Sequence, residues 1–411
     1  MNLKSKLPPR FQKYASFGII PKLLLLPFAA VTLLGMRSLR PFVLIRVHKV
    51  HDWRIGHFAT NTEITRLSDI VQNENARRKC VTIYYFGSKV SSNPFLTEFW
   101  QRELPSVSGH WGWLLDHFSS RIAGMNTTSL SSPVDKSGLL KHDSIPNFFT
   151  RGEINRGNKF LENCQTYSKY ICLNVRDSEY LTRSRGRLMS HHDYRDSDIK
   201  TYISAAESLA KMGYTVFRMG AIVREPLIST HPQVIDYATN GMRSEFLDIF
   251  LGAHCTFTIS VGSGWDSVPT IFRRPVLWNN HLPIFDTSGL TIPITVFPKA
   301  LLDSQNKNFL SLKDSIDRGI ANSFNSQAYK DAGVEIRDLS SEELVEAVTE
   351  MAQRVEGTFV ETPEQKEMQA KLKHILSTHP KLQPSPNYFP IRAQFASCFL
   401  SRYPNFLDGL D

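Results

Sequence analysis

The strongest constraint in this chain is an alternation. Short runs of β-branched and aromatic residues recur, each followed by apolar residues at helical spacing. Phe42-Val43-Leu44-Ile45-Arg46-Val47 is one such run and Val81-Thr82-Ile83-Tyr84-Tyr85-Phe86 another, with Ile64, Leu67, Ile70 and Val71 on one helical face between them. That is the start of a βαβ unit. A second block opens at Tyr170-Ile171-Cys172-Leu173-Asn174-Val175. Ile199, Tyr202, Ile203, Ala206, Leu209 and Ala210 then keep a helical face, and Gly213 stands where the residue just past a helix belongs. A strand from Tyr214 to Phe217, a helix from Glu245 to Gly252 and a strand from Cys255 to Ser260 follow. A glycine-containing loop, a helix to Phe272 and a strand from Pro275 to Trp278 complete the block. Such repetition predicts an α/β chain with mostly parallel, doubly wound sheets. The stretch from about Pro105 to Asn158 is rich in Ser, Gly, Asn and Pro, and predicts loops and short helices. Ser340-Ser341-Glu342-Glu343 and Thr362-Pro363-Glu364-Gln365 are capping boxes that each open an amphipathic helix.

The 411 residues fit two domains, and 41% hydrophobic with 21% charged residues is a globular composition. Cys80, Cys164, Cys172, Cys255 and Cys398 are scattered and form no CxxC pair. They read as free thiols in a reducing compartment, which excludes a disulfide framework and a zinc knuckle. The net charge of +9 favours anionic partners. Nucleic acid is not expected among them, since no aromatic-basic motif of the RRM or OB type is present.

The N-terminus combines a basic start (Lys4, Lys6, Arg10, Lys13) with an apolar stretch from Gly18 to Met36, closed by Arg37 and Arg40. Its unbroken part, Leu23 to Leu34, is shorter than the roughly 20 residues that cross a bilayer. Lys22 and Pro27 weaken a spanning helix further, and no small-x-small cleavage site is clearly placed. Two readings stay open: an interfacial anchor on an anionic membrane surface, or a helix packed on the protein itself. We expect the first over residues 1–39. Asn126-Thr127-Thr128 has the pattern of a glycosylation sequon and is uninformative in a cytoplasmic chain.

Five places have residue types suited to chemistry. In Arg54 to Glu63, Gly56 permits a tight turn, the next helix start offers N–H groups, and His57 titrates in the range of a general base. The competing reading is a turn with a surface histidine. Asn174-Val175-Arg176-Asp177 ends a strand, where an arginine can fork onto a diphosphate and Asp177 can orient it; an ordinary ion pair competes. His191-His192-Asp193 suggests a metal cluster and Asp196-Ser197-Asp198 a DxD metal motif, but adjacent loop histidines diverge and the aspartates suit an N-cap. No metal is expected. Arg218 and Gly220 end another strand. In Ser260 to Asp266, Gly262, Ser263 and Gly264 let backbone N–H groups meet a phosphate, although no P-loop lysine follows. If the sheet is parallel, these arginines and this loop gather into one anion site.

Together, Arg54-Ile-Gly-His57 with Asn61-Thr-Glu63, Tyr194-Arg195-Asp196, Arg218-Met219-Gly220, Glu245-Phe246-Leu247-Asp248, and Ser263-Gly264 with Pro269 and Pro275 resemble a bacterial family of glycosyltransferases of surface-polysaccharide synthesis. The likeness runs from about Arg40 onward. The first strand-turn-helix is similar to that of heptosyltransferases, where an Asp stands in place of His57. The later half resembles fucosyltransferases, in which an arginine matching Arg176 contacts the donor phosphates and a Ser/Gly loop matching Ser263 and Gly264 closes on the donor.

The resemblance implies a GT-B-like fold of two Rossmann-like domains facing across a cleft. An acceptor domain would cover 40–160, a donor domain 161–340, and helices over 341–411 would pack back across both. It implies metal-independent transfer from a nucleotide-diphosphate sugar to a lipid-linked or surface glycan, of hexosyl or deoxyhexosyl type, and no cofactor. His57 would be catalytic. Arg176, Arg195, Arg218, Gly262, Ser263, Gly264 and Glu245 would hold the donor, and Gly56, Asn61 and Glu63 the acceptor. The expected location is cytoplasmic, peripheral on the inner face of the membrane. Transfer of a pyruvyl or phosphoglycerol group, and non-catalytic binding of a glycan or polyanion, stand as alternatives.

Overall fold

The computed structural model describes residues 19–75, 77–88, 90–122, 135, 137–166, 169–180, 183, 190–284, 294–382 and 393–410. The basic residues before Gly18, the Asn126 sequon and the side chains of His191 and His192 lie outside that description. The chain divides into two compact units, Met1–Pro133 and Val134–Asp411.

In the first unit, β1 (Val43–Val50), β2 (Lys79–Phe86) and β3 (Ser106–Val107) form a parallel sheet in that order. Because side chains alternate across a strand, each face of the sheet has its own cover. Val47 and Tyr85 pack with Ala29, Leu33 and Met36 of the helix Ile19–Leu39 and with Leu114 and Leu115 of the helix Gly109–Ser119. The opposite face takes the helix Ile55–Asn75, whose Phe58 ring stands 6.2 Å from that of Phe86. Each fully buried side chain of this size stabilises the unit by about 1.5–3 kcal/mol. The N-terminal helix is therefore built into this unit, and the choice between anchor and packed helix resolves partly toward the second. Among the described residues no helix is long and apolar enough to cross a membrane.

The second unit holds a seven-stranded sheet, all parallel, made of β4 (Lys169–Asn174), β5 (Tyr214–Arg218), β6 (Val234–Ile235), β7 (Phe257–Ser260), β8 (Val276–His281) and β9 (Ile294–Pro298), with β12 (Gln394–Phe395) at one edge. A separate antiparallel pair joins β10 (Ala300–Asp303) to β11 (Val334–Arg337). The central strands are buried throughout, as their apolar runs require of a sheet covered on both faces. The spatial order is β12-β9-β8-β7-β4-β5-β6. The chain starts at β4, moves outward to β6, then returns to the other side of β4 and moves outward in the opposite direction. That is the Rossmann order, and its direction reverses between β4 and β7.

Two boundaries differ from the sequence reading. The first unit ends at Pro133, before the expected domain edge at 160, because the helix Arg151–Asn163 packs on the helix Glu245–His254. Gly157 makes that approach possible: a Cβ there would lie 2.1 Å from Cζ of Phe250. Residues 341–411 belong to the second unit, since β12 extends its sheet and Glu350 accepts the N–H groups of Ser397 and Cys398, each at 2.8 Å. Both capping boxes form as read, on the helices Ser341–Glu356 and Pro363–Thr378.

Gly157→Ala tests the packing of the second unit. Alanine favours a helix by about 1 kcal/mol over glycine, but overpacking a closed contact costs about 1–3 kcal/mol. We expect a lower melting temperature. An unchanged or higher one would show that Phe250 does not close on this helix.

Candidate functional site

Open parallel sheets bind ligands beyond the carboxyl ends of their strands, where the strand order reverses. In the second unit that point lies between β4 and β7. Asn174 and Ser260, the last residues of those strands, are partners in register. Directly after Ser260 the backbone turns through Gly262, whose φ of 75° lies in the left-handed region.

A buried carboxylate organises this turn. Asp266 accepts hydrogen bonds from Ser260 Oγ (2.5 Å), Ser263 N (2.7 Å), Ser263 Oγ (3.2 Å), Trp278 Nε1 (3.2 Å) and Asn174 Nδ2 (3.4 Å). Asn174 Nδ2 also donates to Ser263 Oγ at 2.5 Å. Burial pushes the Asp266 carboxyl above its ordinary value, and the bonds from Ser260, Asn174 and Ser263 oppose that rise. Of the loop residues expected to meet a phosphate, this bears on Ser263 alone. The N–H of Ser263 points inward to Asp266, and that of Trp265 goes to Ser263 Oγ at 3.3 Å, so neither is offered to a phosphate. The turn that follows is a short 3₁₀ segment, Gly264–Asp266, leading into the five-residue helix Ser267–Ile271.

The cations arrive from other elements. Arg195 donates through Nη2 to the carbonyl of Gly262. Arg176, just past β4, pairs with Asp196 at 2.5 Å, and Ser197 N donates to its carbonyl at 3.1 Å. Lys299, whose side chain is 2% exposed, donates to the Asp196 carbonyl at 2.6 Å and pairs with Asp338 at 2.7 Å. Burial lowers both Arg176 and Lys299, with the neighbouring aspartates opposing it. Arg176, Arg195, Gly262 and Ser263 thus meet at the reversal point, while Gly264 stands exposed beside them.

Arg218 lines a cavity of about 360 Å³ with Val175, Asp177, Asp196 and Asp338. Its guanidinium, at the end of β5, is 1% exposed and bonded to Asp236 at 3.2 Å and to the Glu225 carbonyl at 3.0 Å. Glu245 sits in the first turn of the helix Glu245–His254 and pairs with Arg243 at 3.3 Å. That helix is tied to the loop through Trp265 Nε1, which donates to the Asp248 carbonyl at 3.2 Å. The aspartate pair divides: Asp198 caps the following 3₁₀ helix by accepting from Lys200 N, while Asp196 serves Arg176. Among the described residues no group of His, Cys, Asp and Glu has the arrangement of a metal site.

In the first unit, residues expected to form a loop are helical from Ile55 onward, so Gly56 lies in a helix and not in a turn. Asn61 and Glu63 face inward, and Glu63 is fully buried against Arg66 at 2.8 and 3.0 Å. An ion pair of this kind is structural, which removes Glu63 as an acceptor contact. His57 is half-buried in the first helical turn, its ring 6.1 Å from that of His51. Burial first, then Arg54 and His51, lower its pKa. The imidazole is neutral at pH 7, the form a base requires.

No protein-family model matches the chain, and no curated protein matches it. Two solved structures are similar. One is the E. coli ADP-heptose LPS heptosyltransferase II, at 11% identity over 57% of this chain and 84% of that one, with a TM-score of 0.31. The other is a glycosyl transferase family 9 protein from Veillonella parvula, at 12% identity over 72% and 79%, with a TM-score of 0.29.

Lys299 and His281 escaped the sequence reading, and Asn174 and Asp266 stood in it without a role. Strand β8 runs on past Trp278 through Asn279 and Asn280 to His281, three polar residues buried at a strand's carboxyl end. That polar tail was the available signal. The His281 ring stacks on Trp278 at 4.5 Å and lies against Gly262, where a Cβ would stand 2.7 Å from its Nδ1. Neither ring nitrogen has a hydrogen-bond partner.

Burial, and then Arg195, lower His281 from 6.5 to about 3. Between those values the unfolded chain takes up a proton that the folded chain refuses. The stability this histidine permits is therefore complete above pH 6.5 and is lost as pH falls toward 3. His281→Phe should remove that loss, leaving the variant about 2 kcal/mol less acid-sensitive between pH 8 and pH 5. Denaturant titrations at the two pH values measure it. Equal acid losses in both proteins would show that His281 is not held neutral.

Proposed function

We propose that the chain is a glycosyltransferase using a nucleotide-diphosphate sugar, with the donor diphosphate seated at the strand-order reversal of the second unit. One observation carries this reading: Arg176, Arg195 and the Gly262 turn come together at the point where doubly wound sheets take nucleotides. A guanidinium has five N–H donors in a planar fork. Arg195 uses one of them on Gly262, and the others suit the oxygens of a diphosphate.

In the reaction the acceptor hydroxyl oxygen forms a bond to the anomeric carbon and the bond from that carbon to the diphosphate breaks. The hydroxyl proton goes to a base, and the departing diphosphate carries away the bonding pair. Cations already in place when that charge develops lower the barrier. Arg195 and Arg176 supply this stabilisation without a metal, and His57 of the first unit takes the proton. The acceptor is a lipid-linked or surface glycan and the sugar a hexose or deoxyhexose, in the two-domain arrangement of GT-B enzymes.

The test is calorimetric titration of nucleoside diphosphates and nucleotide sugars into the whole chain, with and without Mg²⁺. Binding of one nucleotide class without metal is the expected result, and no binding by any of them overturns the donor reading. Arg195→Ala should weaken that binding about tenfold to a hundredfold, the loss of a charged hydrogen-bonding partner. It is a cleaner probe than Arg176→Ala, which would strand Asp196 without its partner. His57→Ala should lose turnover while donor affinity holds. With His57 intact, turnover should rise with pH and level off below pH 6.5; a base whose profile is unchanged by the substitution is another residue.

A further inference from the structure

The helix Ile19–Leu39 is apolar on both sides. Ala29, Leu33 and Met36 face the core of the first unit, at the spacing of an amphipathic stripe. The side away from a core is ordinarily polar. Here it carries Phe28, Val31 and Leu34, which are 66%, 70% and 65% exposed. Its hydroxyls are turned back onto the helix itself: Thr32 Oγ1 donates to the Phe28 carbonyl at 2.9 Å, and Ser38 Oγ to the Leu34 carbonyl at 3.0 Å. Side chains bonded in this way make no demand on water. Phe42, three residues past the helix, is 74% exposed. Beside the helix runs a groove of about 690 Å³, lined by Leu26, Leu33, Phe118 and Ile122, with Arg37 and Arg121 among its walls.

In the sequence, the net charge of the chain falls on the segment that contains this helix. Nine lysines and arginines and no acidic residue precede Asp52. Nine is also the entire net charge, so residues 52–411 are neutral overall. An exposed apolar face of this extent marks an interaction surface. The flanking sequence, basic and without an acidic residue before Asp52, together with Arg37 and Arg121 beside the groove, selects a partner that is apolar within and anionic at its surface.

We propose that this outer face docks the first unit onto a bilayer leaflet containing anionic lipid. The helix lies in the plane of the interface, with Phe28, Val31 and Leu34 among the acyl chains and the arginines level with the phosphates. It does not cross, because its other side is committed to the protein core. The proposal stands apart from the donor reading, since it concerns the other unit and is tested without nucleotide.

The experiment is flotation of the full chain with vesicles of phosphatidylcholine alone or mixed with phosphatidylglycerol, at low and high salt. Wild type should float with the mixed vesicles and be released by salt. Val31→Asp with Leu34→Asp should weaken this roughly tenfold or more, with an unchanged melting temperature because both residues are exposed. Arg37→Gln with Arg121→Gln should weaken binding only where phosphatidylglycerol is present. Wild type left unbound by mixed vesicles overturns the proposal, as does an aspartate variant that floats like wild type. A second copy covering the face would appear as a dimer in sedimentation that the aspartates dissociate, and would also overturn it.

Discussion

The Asp266 carboxylate is the point on which the second unit's site depends. It joins three neighbouring strands: Asn174 ends β4, Ser260 ends β7 with Ser263 in the turn after it, and Trp278 lies within β8. A buried carboxylate is costly unless its lone pairs are filled, and here five donors fill them. The turn through Gly262 therefore has its shape before any ligand arrives. Its carbonyl fixes Arg195, and the ring of His281 closes against its Cα side. A site held this rigidly loses little freedom on binding.

Around it the cations are held by chains of opposite charge. Arg176 meets Asp196, the carbonyl of Asp196 meets Lys299, and Lys299 meets Asp338. Removing Asp338 would leave Lys299 charged and buried, which costs more than the pair contributes. These residues act as positioned groups with restricted motion. Arg218 is held in the same way: bonded to Asp236 and to the Glu225 carbonyl at the end of β5, it lines a small cavity that Asp196 also lines.

The α/β class and most strands could be read from the sequence because buried parallel strands must be continuous apolar runs, as in β4, β5 and β7. The caps at Ser340 and Thr362 were legible because they are local hydrogen bonds. The first helix start was not: Gly56 and the polar residues after it resemble a turn, and only the packing of Phe58 and Glu63 against their partners makes them helical. The domain edge was hidden because it rests on a long-range contact between Gly157 and Phe250. Among the site residues, Arg176 and the Gly262 turn were readable from their place at strand ends. Asp266 was passed over because its spacing from Ser263 is that of a simple cap, which it also is. The inward direction of Ser263 could not be read at all, since it depends on a carboxylate from the next turn.

The edge strand β12 has a consequence for how the protein is made. It pairs with β9 through Gln394 and Thr295, so about a hundred residues must leave the ribosome between the two halves of that ladder. During synthesis the edge of β9 is an open row of backbone donors and acceptors, at the stage when a growing chain is most prone to wrong association. The first unit completes its three strands long before. The two units thus mature on different schedules, and the one that carries the strand-order reversal is the last to close.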